Sequence, residues 1–295
     1  MSKHFADRLT SAIQDKGAPV CVGIDPNIER FPAELARQID PSQPIGTVRT
    51  FCMEVLETVA PIVPAVKPQI AYFEVFGAAG LQLYFDVVAH ARKLGLIVIG
   101  DAKRGDIGST AAAYATAHLQ GPDAVDALTV NTYFGADGLA PFVDVATRTG
   151  RGIFALVRTS NPSAAALQDL TDAEGTPFYE HVADHLAEIG RAEKCIGRTG
   201  LSCVGAVVGA TWPEQARRLR ERMPEQIFLV PGYGAQGASA EDCAASFRAD
   251  GTGAIVNASR SVIYATCEEG SPWQDAVAAA ARAFAADIAA AVRPA

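Results

Sequence analysis

The sequence predicts an α/β protein, a single (β/α)8 barrel of the TIM type with a helical insertion after its fifth strand. Three observations support this prediction. Eight short apolar runs alternate with segments of helical spacing, 295 residues suffice for eight such units, and no low-complexity linker divides the chain. We therefore expect residues 1–295 to form one barrel domain.

Each of the eight apolar runs has the composition of a strand in a parallel sheet. The runs consist mostly of Val, Ile, Leu and Ala, as expected for strands that are buried on both faces. The predicted strands are residues 19–25, 62–69, 96–103, 124–131, 152–159, 202–209, 227–232 and 253–259. An open, doubly wound sheet remains the alternative fold, because a single sequence does not reveal the order in which the strands pair.

The segments between the strands carry apolar residues at helical spacing, as in PAELARQI and PEQARRLRERM. Several of them end in glycine, and WPEQ and SAED have the composition of helix starts. The longest connection, residues 160–201, contains the helical stretch PFYEHVADHLAEIGRAEK. We interpret it as an insertion at one end of the barrel and not as a second domain.

The composition excludes several classes of partner. A formal net charge of −8 argues against nucleic acid and anionic membranes, although a locally positive pocket can still bind a small phosphorylated molecule. No apolar run approaches the length of a membrane span, and the first residues lack the apolar core of a signal peptide. Six cysteines without CxxC or zinc-site spacing indicate reduced thiols, which predicts a cytoplasmic protein.

No metal site is predicted from the histidines. His181 and His185 are four residues apart and can share a helix face, but the sequence pins no carboxylate ligand to them. A Ser-His-Asp order and a GxSxG nucleophile elbow are also absent from the sequence. The candidate functional groups are therefore sought among the lysines, arginines and carboxylates.

Polar residues stand at the ends of several predicted strands, and the carboxyl ends of barrel strands meet at one mouth. These residues are Asp25, Lys67, Asp101, Lys103, Asn131 and Arg158. In the stretch IVIGDAKRGDIGST, Asp101 and Lys103 are two apart, so on a continuing strand both point to one face. A lysine between carboxylates is favoured as an ammonium and can donate a proton. The alternative is an ion-pair network that only closes the barrel end.

A glycine-rich loop follows the seventh predicted strand, and a short polar segment follows the eighth. LVPGYGAQGAS follows strand seven and VNASRS follows strand eight, where barrels commonly bind phosphate through backbone N–H groups. Gln236 and Arg260 can add side-chain donors. An ordinary glycine-rich turn and a surface arginine remain the alternatives for the two loops taken singly.

Taken together, these motifs resemble one enzyme family. DAKRGDIGST, KPQ after the second strand, PGYGAQG after the seventh and the closing ASRSVIYA are similar to orotidine 5′-phosphate decarboxylases, and VRTSNP with the long connection resembles their longer bacterial subgroup. The resemblance covers nearly the whole chain. It implies decarboxylation of orotidine monophosphate to uridine monophosphate on a (β/α)8 barrel, without cofactor or metal, in a homodimer with shared active sites.

The resemblance also implies roles for residues at matching positions. Asp101 would lie against the substrate carboxylate, and Lys103 would stabilise the C6 carbanion and protonate it. Asp106, Ile107 and Thr110 would enter the active site of the neighbouring subunit.

The remaining residues assigned by the resemblance contact the substrate: Asp25, Lys67, Ser160, Pro231, Gln236 and Arg260. The first two would hold the ribose and orient the catalytic lysine. Gln236 and Arg260 would bind the phosphate, and Ser160 would contact the pyrimidine ring.

Three other functions are compatible with parts of the pattern. A magnesium-dependent sugar-phosphate decarboxylase or synthase of the same barrel type would use the D-x-K-x-x-D cluster with a metal ion. A Schiff-base aldolase needs an unprotonated lysine, which two neighbouring carboxylates disfavour. A nucleotide-binding protein without activity would have no use for the charge cluster.

Overall fold

The computed structural model describes residues 4–267 and 270–293. In this part of the chain eight parallel strands close into a barrel in sequence order, because the first strand pairs with both the second and the eighth. The strands are β1 (Val20–Ile24), β2 (Ala65–Pro68), β3 (Ile97–Arg104), β4 (Ala127–Val130), β5 (Gly152–Arg158), β6 (Ser202–Val208), β7 (Gln226–Pro231) and β8 (Ala254–Ala258). Every predicted strand is present with slightly different ends, and the closed order confirms the barrel over the open sheet.

Helices form the layer outside the barrel and some of the loops. They are α1 (Phe5–Lys16), α2 (Ala33–Ala36), α3 (Ile45–Val59), α4 (Ala71–Glu74), α5 (Gly77–Lys93), α6 (Gly108–Leu119), α7 (Gly135–Thr149), α8 (Ala165–Gln168), α9 (Phe178–Gly190), α10 (Pro213–Arg222), α11 (Ala240–Ala244), α12 (Arg260–Ile263) and α13 (Trp273–Ala291). The predicted start of α11 is correct, because Ser239 and Asp242 form a capping box there.

Helix α1 covers the amino-terminal end of the barrel. The ring of Phe5 lies edge-on to Phe154 of β5 at 5.9 Å between ring centres. Arg8 donates a hydrogen bond of 2.6 Å to Asp126, immediately before β4. With this end closed by a helix, the carboxyl ends of the strands form the open mouth of the barrel.

The connection predicted as an insertion has two parts. Helix α9 packs against β5 and β6, so it occupies the place of an outer barrel helix. The additional part precedes it and consists of the 3-10 turn Pro162–Ala164 followed by α8. These short helices lie near the mouth because they follow the carboxyl end of β5.

The six cysteines are free, five of them buried and Cys267 exposed. Within residues 4–267 and 270–293, no helix combines the length and apolar character that crossing a bilayer requires.

A buried arginine ties α10 to the amino-terminal ends of two strands. The guanidinium of Arg220 donates hydrogen bonds of 2.8 to 3.0 Å to the carbonyl oxygens of Met223, Gln226, Ser246 and Gly253. Burial lowers the pKa of Arg220 to about 9. The backbone carbonyls therefore provide the polar partners that a buried cation requires.

We expect the substitution Arg220→Leu to lower the free energy of unfolding by about 2–4 kcal/mol, because buried carbonyl oxygens lose their donor. Urea unfolding measures the effect. Arg217→Leu on the exposed side of the same helix is the control, with an expected change within about 0.5 kcal/mol. Equal stability of the two variants would contradict the interpretation.

Candidate active site

A cavity of about 520 Å³ opens at the carboxyl ends of the strands. This volume is within the usual range for small-molecule sites. The predicted site residues that line it are Asp25, Lys67, Asp101, Lys103, Ser160, Pro231, Gln236 and Arg260. Residues from opposite sides of the barrel thus face one space.

A single carboxylate bridges two ammonium groups inside the cavity. Asp101 Oδ2 accepts a hydrogen bond of 2.5 Å from Lys67 Nζ, and Asp101 Oδ1 accepts one of 2.6 Å from Lys103 Nζ. The side chains of Asp101 and Lys67 are almost fully buried, whereas 48% of the Lys103 side chain is exposed. The free side of the Lys103 ammonium therefore faces the cavity.

The electrostatics of this array favour the charged forms. Burial raises the pKa of a carboxyl group, but Lys67 and Lys103 outweigh burial and hold the pKa of Asp101 well below its usual range. For Lys67, burial disfavours the ammonium, yet Asp101 and Asp25 outweigh it and raise its pKa above the ordinary value. Asp101 and Lys67 are therefore ionised at neutral pH.

Asp25 is held at the seam between β1 and β8. Its Oδ2 accepts a hydrogen bond of 2.6 Å from Ser259 Oγ, and its carbonyl accepts one of 2.7 Å from the Tyr264 hydroxyl. A Cβ atom at Gly23 would lie 2.7 Å from the Ser259 Cβ, so the close approach requires glycine there. Both partners belong to the motif ASRSVIYA, which begins at the last residue of β8.

The glycine-rich loop after β7 is anchored to the last helix. Gly232 and Gly234 have φ values of 118° and 65°, which glycine adopts readily. Between them, the Tyr233 hydroxyl donates a hydrogen bond of 2.6 Å to Asp287 of α13, and its ring packs on Phe284. The sequence did not predict this anchor, because Asp287 is more than 50 positions away along the chain.

The expectation that Arg158 lies at the mouth is wrong. Its side chain is fully buried outside the cavity, where its guanidinium lies 4.2 Å from the ring centre of Trp212 and 3.0 Å from Asp169 Oδ1. Thr159, the residue after Arg158, is also held in place, because Trp212 Nε1 donates a hydrogen bond to its carbonyl. Arg158 thus supports the segment that carries Ser160 and does not line the cavity.

Asn131 is also outside the set of residues that line the cavity, and its side chain accepts a hydrogen bond from the backbone of Tyr133. The sequence interpretation in turn missed Thr129, Asn257 and Ser259, which do line the cavity. Each is an uncharged residue in or next to a predicted strand. Only knowledge of which side chains point to the mouth of the barrel could have indicated them.

Asp106, Ile107 and Thr110 do not line the cavity of their own chain. Ile107 and Thr110 are exposed, and the Asp106 side chain accepts a hydrogen bond from the Ile107 N–H. The exposed side chain of Phe134 lies beside this segment, because a Cβ atom at Gly105 would be 3.4 Å from its ring. Their role in a second subunit stays a prediction.

Among the described residues, no three or more histidine, cysteine, aspartate or glutamate side chains are grouped as metal ligands. His181, a candidate metal ligand from its sequence spacing, instead has Asp172 as its partner, with 2.7 Å between Nε2 and Oδ2.

Comparisons with known proteins agree in one family. Residues 18–271 match a family model described as "Orotidine 5'-phosphate decarboxylase / HUMPS family". The orotidine 5′-phosphate decarboxylase of Rhodopirellula baltica is 45% identical over 292 residues, covering 94% of this chain and 96% of the relative. The orotidine 5′-phosphate decarboxylase of Deinococcus radiodurans is 43% identical, and the alignment covers 90% of this chain and 91% of the relative. The structure of Leishmania donovani OMP decarboxylase superimposes with a TM-score of 0.79 at 31% identity, covering 98% of this chain and 99% of that chain.

The charge array predicts that the stability of the fold depends on pH. The lowered pKa of Asp101 stabilises the fold above about pH 4, the ordinary carboxyl pKa, and this contribution is lost as the pH falls below it. Lys67→Met removes one of the two cations while burial persists, so we expect the Asp101 pKa to rise and acid unfolding to begin at higher pH. Carboxyl-carbon NMR titration and circular dichroism measure the two changes.

The control for this experiment is Lys93→Met, which removes an exposed lysine on α5. It should leave both the titration and the acid transition unchanged. An unshifted Asp101 pKa in Lys67→Met would contradict the proposed balance between burial and ion pairing.

Proposed function

The chain belongs to the orotidine 5′-phosphate decarboxylase / HUMPS family, and from this membership we propose that it converts orotidine 5′-monophosphate to uridine 5′-monophosphate and CO2. The observation that carries the proposal is the Lys67–Asp101–Lys103 array, which shares one cavity with the loops after β7 and β8. A reacting carbon and a phosphate can therefore be bound at once. This reaction belongs to pyrimidine biosynthesis.

Lys103 is the group that acts on the reacting carbon. Breaking the bond between C6 and the carboxyl carbon releases CO2 and leaves the electron pair on C6, where the ring provides little resonance stabilisation. A fixed ammonium beside C6 stabilises this charge as it develops, and then transfers a proton to it. Because the Lys103 side chain is half exposed, solvent can protonate the amine again after each turnover.

Asp101 holds the ammonium in place before substrate binds. Its bond of 2.6 Å to Lys103 Nζ leaves little reorganisation for the reaction step. The substrate carboxylate would lie beside the Asp101 carboxylate, and its departure as neutral CO2 removes the repulsion between the two. Lys67 and Asp25 hold the ribose and extend the array of alternating charges.

The phosphate is bound on the opposite side of the cavity. Gln236 and Arg260 line this side and provide an amide and a guanidinium. Pro231 lines the cavity at the end of β7, and Ser160 lines it after β5, where it contacts the pyrimidine ring. Binding energy from the phosphate can thereby contribute to the positioning of C6, which lies far from it.

The magnesium-dependent alternative fits the array less well. Both oxygens of Asp101 are occupied by ammonium groups, so this carboxylate has little capacity left for a cation.

We also propose a cytoplasmic location. The free cysteines support it, because unpaired thiols persist in a reducing compartment.

The reaction is tested by mixing purified protein with orotidine monophosphate in excess EDTA. We expect the orotate absorbance band to fall while uridine monophosphate appears, because none of the proposed steps uses a metal ion. Activity that needs added magnesium, or that is found only with sugar phosphates, would favour the alternative function.

Lys103→Ala should lower kcat by at least about 1,000-fold, because the variant loses both the stabilising cation and the proton donor. Binding of uridine monophosphate, measured by calorimetry, should persist through the phosphate loops. Lys93→Ala on the surface is the matched control. Turnover near the wild-type rate in Lys103→Ala would refute the mechanism.

We further propose that the enzyme is a homodimer with shared active sites. Asp106, Ile107 and Thr110 lie outside their own cavity, and Ile107 and the nearby Phe134 are exposed apolar residues of the kind that subunit interfaces cover. In a twofold dimer the same surface meets its own copy, so these residues can enter the cavity of the second subunit.

Subunit mixing tests the shared site. Lys103→Ala and Asp106→Ala should each be inactive alone, yet after exchange of subunits the mixture should regain about a quarter of wild-type activity. About half of the dimers are then mixed, and one of the two sites in each has every residue intact. A mixture of Lys103→Ala with Arg260→Ala is the control and should stay inactive, because both residues belong to the same chain's site. No recovery in the first mixture would contradict the proposal.

A further inference from the structure

The backbone of Lys103 has an unusual conformation. Among residues 4–267 and 270–293, it is the one non-glycine residue with a positive φ, at 46°. A side chain with a Cβ atom is strained in this left-handed region, and such residues persist only where surrounding contacts hold them. The contacts that hold Lys103 are therefore of functional interest.

The strain coincides with an irregularity in the sheet. Gly100 of β3 pairs with Leu128 of β4, and Arg104 pairs with Val130. Residues 101–103 therefore stand opposite Thr129 alone, and the backbone of one residue cannot pair with all three. In a regular strand the side chains of Asp101 and Lys103 would emerge about 7 Å apart along one face. The bulge instead changes the direction in which Lys103 leaves the strand.

The Thr129 hydroxyl makes hydrogen bonds within this bulge. Its Oγ1 accepts bonds from the N–H groups of Ala102 at 3.0 Å and Lys103 at 2.9 Å. It lies 3.1 Å from Asp101 Oδ1, to which it can donate its proton. One hydroxyl thus contacts both the strained backbone and the carboxylate that binds the Lys103 ammonium. Thr129 is almost completely buried, so water does not replace these bonds.

The geometry points to Thr129 as a positioning residue that holds the bulged backbone of Lys103 and the Asp101 carboxylate in the relative positions that proton transfer requires. The inference rests on the proposed decarboxylation. Thr129 acts through Lys103 and Asp101. Its hydroxyl accepts the N–H groups that the backbone of β4 cannot pair. It thereby keeps Lys103 in its strained conformation, in which the ammonium reaches both Asp101 and the substrate.

Two substitutions separate the hydroxyl from the shape of the side chain. Thr129→Val keeps the shape and removes the hydroxyl, whereas Thr129→Ser keeps the hydroxyl. We expect Thr129→Val to lower kcat about 10- to 100-fold, because a displacement of about 1 Å in a catalytic group has this effect. The dissociation constant of uridine monophosphate should change by less than about threefold, since the phosphate loops are untouched. Thr129→Ser should restore kcat to within about threefold of wild type.

Thermal unfolding of each variant confirms that it is folded at the assay temperature. A wild-type kcat in Thr129→Val, or a Thr129→Ser variant as slow as Thr129→Val, would overturn the inference. A parallel loss of kcat and product binding would also overturn it, because it would indicate a structural role only.

A crystal structure of Thr129→Val provides a readout that does not depend on activity. We expect Lys103 to leave the left-handed region and its contact with Asp101 to lengthen, and an unchanged Lys103 would refute the inference. If the wild-type protein does not decarboxylate orotidine monophosphate, the proposed function is wrong. The crystal structure still decides whether Thr129 holds the backbone.

Discussion

The site depends on the compensation of one buried negative charge, that of Asp101. Burial alone would favour the neutral acid, and only the two ammonium groups at 2.5 and 2.6 Å keep it ionised. Lys67 is equally buried, and its ammonium is favoured by Asp101 in return. Removing Lys67 or Lys103 therefore leaves the buried Asp101 carboxylate with one cation in place of two. The array forms only when β2 and β3 are paired in the observed register.

Closure of the barrel joins this array to the phosphate side. Because β1 pairs with both β2 and β8, Asp25 is close to Lys67 on one side and bonded to Ser259 on the other. Arg260, the residue after Ser259, lines the cavity. An open sheet would separate these ends, whereas the closed order places the groups that bind phosphate and the group that reacts within one cavity.

The two ends of the barrel have different roles. At the amino-terminal end, α1 and the hydrogen bonds from Arg220 to backbone carbonyls close the barrel. At the carboxyl end, the backbone of Lys103 is strained and its ammonium half exposed. The backbone strain thus lies at the end of the barrel where a reactive group must be positioned.

The sequence by itself determined the eight strands and the position of the site, because buried parallel strands are continuous apolar runs and their carboxyl ends must meet at one mouth. Asp101, Lys103 and the loops after β7 and β8 could be predicted on that basis. Only the tertiary structure decided that Arg158 turns away toward Trp212 and that Thr129 completes the bulge in β3. Both depend on register and packing between segments distant in the chain, and local sequence patterns carry no information about such contacts.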